Sequence, residues 1–350
     1  MEFGLSQDQL LLQDSVRKFL SAEVPLDVVR TIAKGELTDQ PAWEGITQMG
    51  LAGLLIPEAH GGVGLGMLDA VVVAEALGYA LCPGPFLSSA VMAAHYLNEA
   101  GATELLSGIA AGTTRVGIAF SEATGARDNT QIEASQGALT GTALFALDAD
   151  ADGYLVALSD GQVFYAEASE LKRQTLTTID CTRTVCELNF DGVPATLVSK
   201  NEALLKRTIN LGRTIQAADT LGAAQCMLDQ AVAYSLDRKQ FNRPIGSFQA
   251  VKHLCAEMAS QLEPCRAFVW FAGHAFGEST KEADLTACHA KAHLAEVGQF
   301  VAKTSTEVHG GMGFTDLVGL HYWFKRVGFN RQLLGSPEGV REEAAAIQNF

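Results

Sequence analysis

The sequence predicts an α+β fold: a helical N-terminal domain, a middle β-barrel domain and a C-terminal helical bundle. Three observations predict it. The first third of the 350 residues carries apolar residues at helical spacing. From about Thr114 the texture changes to short β-type runs split by Gly, Asp and Ser. From about Asn201 long helical patterns return and continue almost to the end. The implied boundaries are 1–113, 114–197 and 198–350.

In chain order, Ser6 and Gln9 form a capping-box pattern ahead of "LLLQDSVRKFL". Trp43 to Leu55 reads as an amphipathic helix stopped by Pro57, and "PEAHGGVGLG" as a glycine-rich loop. "MLDAVVVAEALGYAL" is apolar on nearly every side, which predicts a buried helix. "CPGP" then breaks the chain before a helix through "SSAVMAAHYLNEAG". The runs "RVGIAF", "GALTGTALF", "GYLVAL", "QVFYAE" and "CELNFDGV" are the expected strands. Their spacing suggests a small antiparallel barrel or sandwich rather than a parallel sheet with crossover helices. Long helices are expected over roughly 201–237, 247–277 and 282–309, with a shorter stretch near the end. Pro264 falls inside the second of these and predicts a kink.

Composition narrows the function classes. Hydrophobic residues make up 48% and charged residues 19%, an ordinary globular balance. The net charge of −15 argues against nucleic acid or an anionic membrane as the main partner. A phosphate-bearing ligand would need local cations to offset that field. The opening "MEFGLSQDQLLLQDSVRKFL" has polar residues inside its apolar run and reads as neither a signal peptide nor a membrane span. Seven cysteines without metal-ligand spacing read as free thiols suited to a reducing cytoplasm.

Two segments carry candidate chemistry. "YSLDRKQFNRPIGSFQAVKH", Tyr234 to His253, places Arg238, Gln240 and Phe241 at a helix end. Phe248, Gln249 and His253 follow on the next helix. An Arg fork matches phosphate oxygens, a Gln can bond a ring edge, and a Phe supplies a flat surface. The plainer reading is a capped helix hairpin with a surface Arg. In "TEVHGGMGF", Thr306 to Phe314, the Gly310–Gly311 pair lets backbone N–H groups approach a ligand without Cβ obstruction. The plainer reading there is a glycine helix stop.

Taken together with the order helices, strands, helices, these segments resemble the acyl-CoA dehydrogenase superfamily. The resemblance covers nearly the whole chain. "MGLAGLLIPEAHGGVGLG", "VVVAEALGYALCPGP" and "LLSGIAAGTTRVGIAFSEA" are similar to the family's N-terminal loop, buried helix and lead-in to the barrel. "RKQFNRPIGSFQAVKH" matches its flavin-binding helix pair almost residue for residue. The resemblance implies FAD, an acyl-CoA substrate, a C-terminal four-helix bundle, and dimers or tetramers with each FAD lying between subunits. An electron-transfer flavoprotein is the implied electron acceptor. Arg238, Gln240, Phe241, Phe248, Gln249, Glu307, Gly310 and Gly311, with Ser121 from the barrel, are the implied cofactor residues. In the family reaction a carboxylate takes the α-proton while the β-hydrogen leaves as hydride to the flavin.

Four departures matter. The barrel motif that usually reads Thr-Glu-Pro-x-Ala-Gly-Ser-Asp is "SEATGARDN" here, Ser121 to Asn129. The Trp-Ile-Thr segment that covers the flavin ring aligns with "FAL", Phe145 to Leu147. The Gln before the glycine pair is Glu307. The usual catalytic Glu aligns with Gly335, and its alternative site with Gly212. This pattern resembles the shorter, motif-degraded subunit of bacterial α₂β₂ acyl-CoA dehydrogenases acting on bulky CoA thioesters, notably steroid side chains. No catalytic residue is therefore assigned. Competing readings are a self-sufficient homo-oligomer drawing its base from Asp316, Glu338 or Glu122, a flavin monooxygenase of the same fold, and a structural subunit without flavin contact. Association is expected through the C-terminal helices, because "FVWFAGHAFG", Phe268 to Gly277, carries much aromatic surface.

Overall fold

The computed structural model describes residues 4–125, 131–277 and 280–350. The chain opens with α1 (Gln7–Glu23), α2 (Leu26–Ala33), α3 (Gln40–Gln48) and α4 (Met67–Tyr79). A π-helical stretch, Phe86–Ala93, runs into α5 (Ala94–Ala100) and α6 (Leu106–Ala110). The strands follow: β1 (Val116–Ala119), β2 (Ile132–Ser135), β3 (Ala138–Leu147), β4 (Gly153–Ala157), β5 (Val163–Glu167), β6 (Lys172–Thr175), β7 (Val185–Pro194) and β8 (Thr196–Ser199). Then come α7 (Glu202–Asp237), the two-residue strands β9 (Lys239–Gln240) and β10 (Arg243–Pro244), α8 (Gln249–Ala275), α9 (Thr280–His309), α10 (Leu320–Gln332) and α11 (Pro337–Ile347). Two compact units result: residues up to Glu36 with Val71–Cys82 and Thr214–Phe350, and Leu37–Ala70 with Pro83–Arg213.

In the sheet-bearing unit the strands run β6-β7-β3-β1-β4-β5-β8, with β2 on β3. Every pair in that sheet is antiparallel except β1–β4. The parallel pair arises because β3 is inserted in sequence between β1 and β4, so β1 pairs with both. Leu139, Ala143, Tyr154, Val156, Cys186 and Leu188 are fully buried in its core. β2, β6 and β8 are additions to the strands read from sequence. Each is four residues long, and β6 is exposed throughout, so none carries an alternating apolar signal. A break in register between Ala143 and Ala146 leaves Phe145 at φ 53° and 44% exposed.

Asp148 follows directly at the end of β3. It sits at φ 70° and is 6% exposed. Its backbone N–H donates to the Thr184 carbonyl at 3.0 Å, and its own carbonyl accepts the Tyr154 hydroxyl at 2.8 Å. Its Oδ2 has no partner among the described residues. Burial pushes its carboxyl up to about 7, against the partial relief that Arg115 supplies.

In the helical unit, the Ser6 hydroxyl accepts from the Gln9 N–H and the Gln9 side chain accepts from the Ser6 N–H, closing the expected capping box. α3 stops at Gln48, earlier than the sequence suggests, because Gly50 turns the chain at φ 77°. α4 is buried as expected; Val71, Val72 and Val73 are all inaccessible. Pro264 lies on the exposed side of α8, and the helix runs through it unbroken, since a missing N–H costs least where water faces the backbone. No described helix is long and apolar enough to cross a membrane.

Two buried ionic clusters tie this unit. Asp219 on α7 accepts from Arg326 at 3.0 Å and from Asn330 at 2.6 Å, both on α10. Lys291 on α9 donates to Gln216 at 2.8 Å and to the Asn330 carbonyl. Arg326 is 0% exposed, and Asp219, Lys291 and Asn330 are 2–3% exposed. On α4, Glu75 is 1% exposed and is held by Arg266 and by the Trp270 indole at 3.2 Å, with Arg17 at 3.7 Å.

Asp219→Ala should destabilise the protein by about 3–5 kcal/mol, because it removes a carboxylate that the buried Arg326 guanidinium bonds. Urea unfolding monitored by far-UV circular dichroism measures this. Asp148→Asn should act in the opposite direction above about pH 7. The ordinary carboxyl value is 3.8, but the folded group keeps its proton to about 7. Between those values the folded state binds more protons, so this group makes stability fall as pH rises. The Asn variant should flatten that part of the stability–pH curve, and an unchanged slope would refute the assignment.

Candidate functional site

The helix end that the sequence singles out is built locally. The last turn of α7 closes with the Arg238 N–H donating to the Tyr234 carbonyl at 2.9 Å. The chain then reverses in a two-residue turn. Phe241 and Asn242 stand at φ 51° and 60°, and Gln240 pairs with Arg243. Both central residues have positive φ, as the type I′ hairpin requires. This turn throws Phe241 into solvent at 88% exposure. Arg238 is exposed and has no ion-pair partner among the described residues. In a chain of net charge −15, an unneutralised guanidinium at a helix end is available for an anion.

Other predicted residues are engaged within the chain. The Gln240 amide donates to the Lys239 carbonyl at 2.8 Å. The Arg243 guanidinium lies 3.9 Å over the Phe248 ring, and the Phe241 ring meets Phe248 edge-on at 6.1 Å. Phe248 is thus a seat for Arg243 as well as the N-cap position of α8. Gln249 opens α8 exposed, and His253 is exposed one turn on.

Tyr234 joins the two motifs. Its ring stacks on His309 at 4.6 Å and 28°, which fixes the end of α9 against the end of α7. The same contact places the β9–β10 hairpin and the Gly310–Gly311 segment at one end of the helical unit. His309 is anchored by Nδ1 against the Ser305 carbonyl at 2.8 Å, and burial pushes its imidazole down. A neutral ring suits this stack. Gly310 has φ +58°, and a Cβ on Gly310 or Gly311 would meet nothing within 4 Å, so the backbone there is open to approach. Glu307 is exposed on the last turn of α9.

Ser121 belongs to the other unit, at the head of a short 3₁₀ turn, Glu122–Thr124. Its hydroxyl is buried and has no partner among the described residues. The rest of the altered barrel motif, from Ala126 to Asn129, lies outside the described residues.

Tyr234 and Arg243 were not among the residues selected from sequence. Both lie within the motif, but their contacts reach five residues along a reversed chain or across to another helix. Only the turn geometry brings them into range.

The base positions and their substitutes are also placed. Gly335 stands at φ +108°, next to Leu334 at φ 60°. Gly212 is buried on α7 beside Arg213, which is 2% exposed and bonds Asn210 at 2.9 Å. Neither position supplies a carboxylate. Glu122 accepts from the Ile132 N–H at 2.7 Å, and burial pushes its carboxyl up. Asp316 bonds His321 at 3.3 Å and lies 3.8 Å from Arg30; its carboxyl is held below the usual range by hydrogen bonds from Tyr322 and His321. Glu338 occupies the first turn of α11 and pairs with Arg331 at 3.2 Å. Each of the three is already committed to holding local structure.

Part of the aromatic segment expected to drive association is spent inside the chain. Val269 and Phe276 are buried, and Trp270 bonds Glu75. Phe268 packs near His289 and His293, and Phe271 remains 42% exposed.

Comparison with known proteins agrees with this layout. The acyl-CoA dehydrogenase N-terminal domain matches residues 6–113, and the acyl-CoA dehydrogenase C-terminal domain matches residues 203–347. The chain is 31% identical to acyl-CoA dehydrogenase IpdE2 of Mycolicibacterium smegmatis, over 98% of this chain and 100% of that protein. It is 28% identical to IpdE2 of Mycobacterium tuberculosis, over 95% of each. Among solved structures, the ChsE4-ChsE5 complex from Mycobacterium tuberculosis superposes with a TM-score of 0.91 at 26% identity, covering 100% of this chain and 99% of the other. A Tcur3481-Tcur3483 steroid ACAD variant gives 0.88 at 26%, covering 98% of each. With the family's helical domains at both ends, a central sheet between them in sequence and a full-length relative above 30% identity, this chain belongs to the acyl-CoA dehydrogenase family, oxidoreductases acting on acyl-CoA.

Proposed function

We propose that this chain is one subunit of a heteromeric, FAD-dependent acyl-CoA dehydrogenase. In this reading it lends the α7–α8 helix end to the cofactor and leaves proton removal to a full-length partner. The observation that carries it is the division between the two sets of positions. The helix end keeps an unpaired Arg238 and an open Gly310–Gly311 backbone, while both base positions are glycines. A chain that worked alone would have no reason to keep the first set and lose the second.

The residues present fit FAD on two counts. Arg238 offers an uncompensated fork for phosphate oxygens, and the glycine pair offers backbone N–H groups with no Cβ in the way. Arg238, Gln240, Gly310 and Gly311 would hold the pyrophosphate and adenine end of a neighbouring subunit's FAD, with Phe241, Phe248, Gln249 and Glu307 beside them; Ser121, in the sheet-bearing unit, is a separate proposed cofactor contact. FAD, when bound, supplies the hydride acceptor that amino-acid side chains do not provide. The chain's own part is to bind and orient.

Two relatives support the finer reading. The ChsE4-ChsE5 structure is a complex of two proteins, and the Tcur3481-Tcur3483 protein is a steroid ACAD. A bulky, steroid-like acyl group follows as the proposed substrate, and an electron-transfer flavoprotein as the proposed acceptor. All seven cysteines are free thiols, which suits a reducing cytoplasm.

Expressed alone, the chain should turn over acyl-CoA about 10²–10⁴-fold more slowly than the complex, the cost of a missing general base. Co-expression with a full-length acyl-CoA dehydrogenase carrying a carboxylate base should give activity, and removal of that partner's base should abolish it. In the complex, Arg238→Ala should weaken flavin retention by about 1.5–3 kcal/mol, read by equilibrium dialysis of FAD. Stoichiometric FAD and ordinary turnover in the isolated chain would defeat the shared-site reading. Gly335→Glu should not restore activity to the lone chain. It should instead cost about 1–3 kcal/mol in thermal unfolding, because φ +108° strains any side-chain-bearing residue.

A further inference from the structure

The helical unit contains a cavity of about 920 Å³ that the flavin reading does not use. Its size is in the range of small-molecule sites, about 300–1,000 Å³. α1, α4, α7, α8 and α10 contribute to its wall. None of the helix-end residues assigned above borders it.

The chemistry of the wall selects a ligand. Tyr79, Trp270 and Trp323 line it, and each has already committed its polar hydrogen to the protein. The Tyr79 hydroxyl donates to Asp229 at 3.0 Å, the Trp270 indole to Glu75 at 3.2 Å, and the Trp323 indole to the Tyr79 carbonyl at 2.9 Å. What remains of these residues is ring surface, which favours an apolar, flat or multi-ring body. The charged side chains around the cavity balance: Arg17, Lys18 and Arg266 against Asp14, Asp229 and Glu263. A ligand with a large net charge, such as a nucleotide, gains nothing there.

One polar group is left over. Gln13 borders the cavity, is 8% exposed, and its Nε2 has no hydrogen-bond partner among the described residues. A buried amide donor without an acceptor carries a desolvation cost that folding leaves uncompensated. We propose that this cavity binds a neutral, ring-bearing small molecule with a carbonyl oxygen, which Gln13 meets as hydrogen-bond donor while Trp270, Trp323 and Tyr79 pack against the rings. The site is separate from the flavin end, so its fate and that of the flavin reading are decided by different measurements.

Benzophenone is a suitable probe: neutral, aromatic, carbonyl-bearing and photoreactive. The full-length chain is irradiated with increasing benzophenone, and the labelled peptides are mapped by mass spectrometry. Saturable labelling is expected on α1, α4 or α8 beside the cavity. Ala80→Phe, which places a ring in the space, should abolish it. Gln13→Leu should weaken half-saturation by about ten-fold, the worth of one hydrogen bond. It should also raise the melting temperature by about 2 °C, because the orphaned donor is gone. If Ala80→Phe does not fold, the paired readouts of Gln13→Leu decide alone. Labelling that does not saturate, maps elsewhere, or is unchanged by Gln13→Leu overturns the proposal.

Discussion

The Asp219 carboxylate is the point on which the helical unit depends. Buried on α7, it accepts hydrogen bonds from Arg326 and Asn330 on α10. Asn330 in turn receives Lys291 of α9 on its carbonyl, and Lys291 also reaches back to Gln216 on α7. Three helices are therefore joined by one connected set of charged groups from which water is excluded. Such a set contributes little net stability over an apolar core of the same shape. Its partial loss is costly, however, and that asymmetry fixes one register among the helices. α10 leads directly to Leu334 and Gly335, so the network also sets where that left-handed turn begins.

The same three-helix arrangement carries the α7–α8 turn and the end of α9. α7 and α9 finish together because Tyr234 stacks on a His309 ring that burial keeps neutral. From that fixed end, a hairpin with two positive-φ residues sends Phe241 outward and lays Arg243 on Phe248. Arg238 is left as a cation without an ion-pair partner among the described residues, in a strongly acidic chain. Left-handed backbone is costly at Phe241, whereas Asn242 tolerates it.

In the sheet-bearing unit, the opposite economy holds. Phe145 and Asp148 both take left-handed backbone at the end of β3, where the family usually covers the flavin ring. Phe145 is pushed out by a register break, and Asp148 is buried with one oxygen unpaired. A carboxyl whose burial keeps it protonated to about 7 weakens the unit at alkaline pH rather than strengthening it.

Sequence by itself determined the alternation of helix and strand and the family, because both rest on local pattern. The capping box at Ser6, the all-apolar α4, the three long helices and the motif from Arg238 to Gln249 are periodic or contiguous signals. Short exposed strands such as β6 carry no such pattern, and the end of α3 at Gln48 depends on one glycine's φ. Arg238, Gly310 and the two glycines at the base positions were legible, since a motif states residue types at fixed spacing. What the residues do to one another was not. That Arg243 occupies the Phe248 face, that Tyr234 holds His309, and that Asp219 and Lys291 together join α7, α9 and α10 are contacts made across turns or between distant segments. Side-chain type says a hydrogen bond or a stack is available; only the packed chain decides which partner comes within reach.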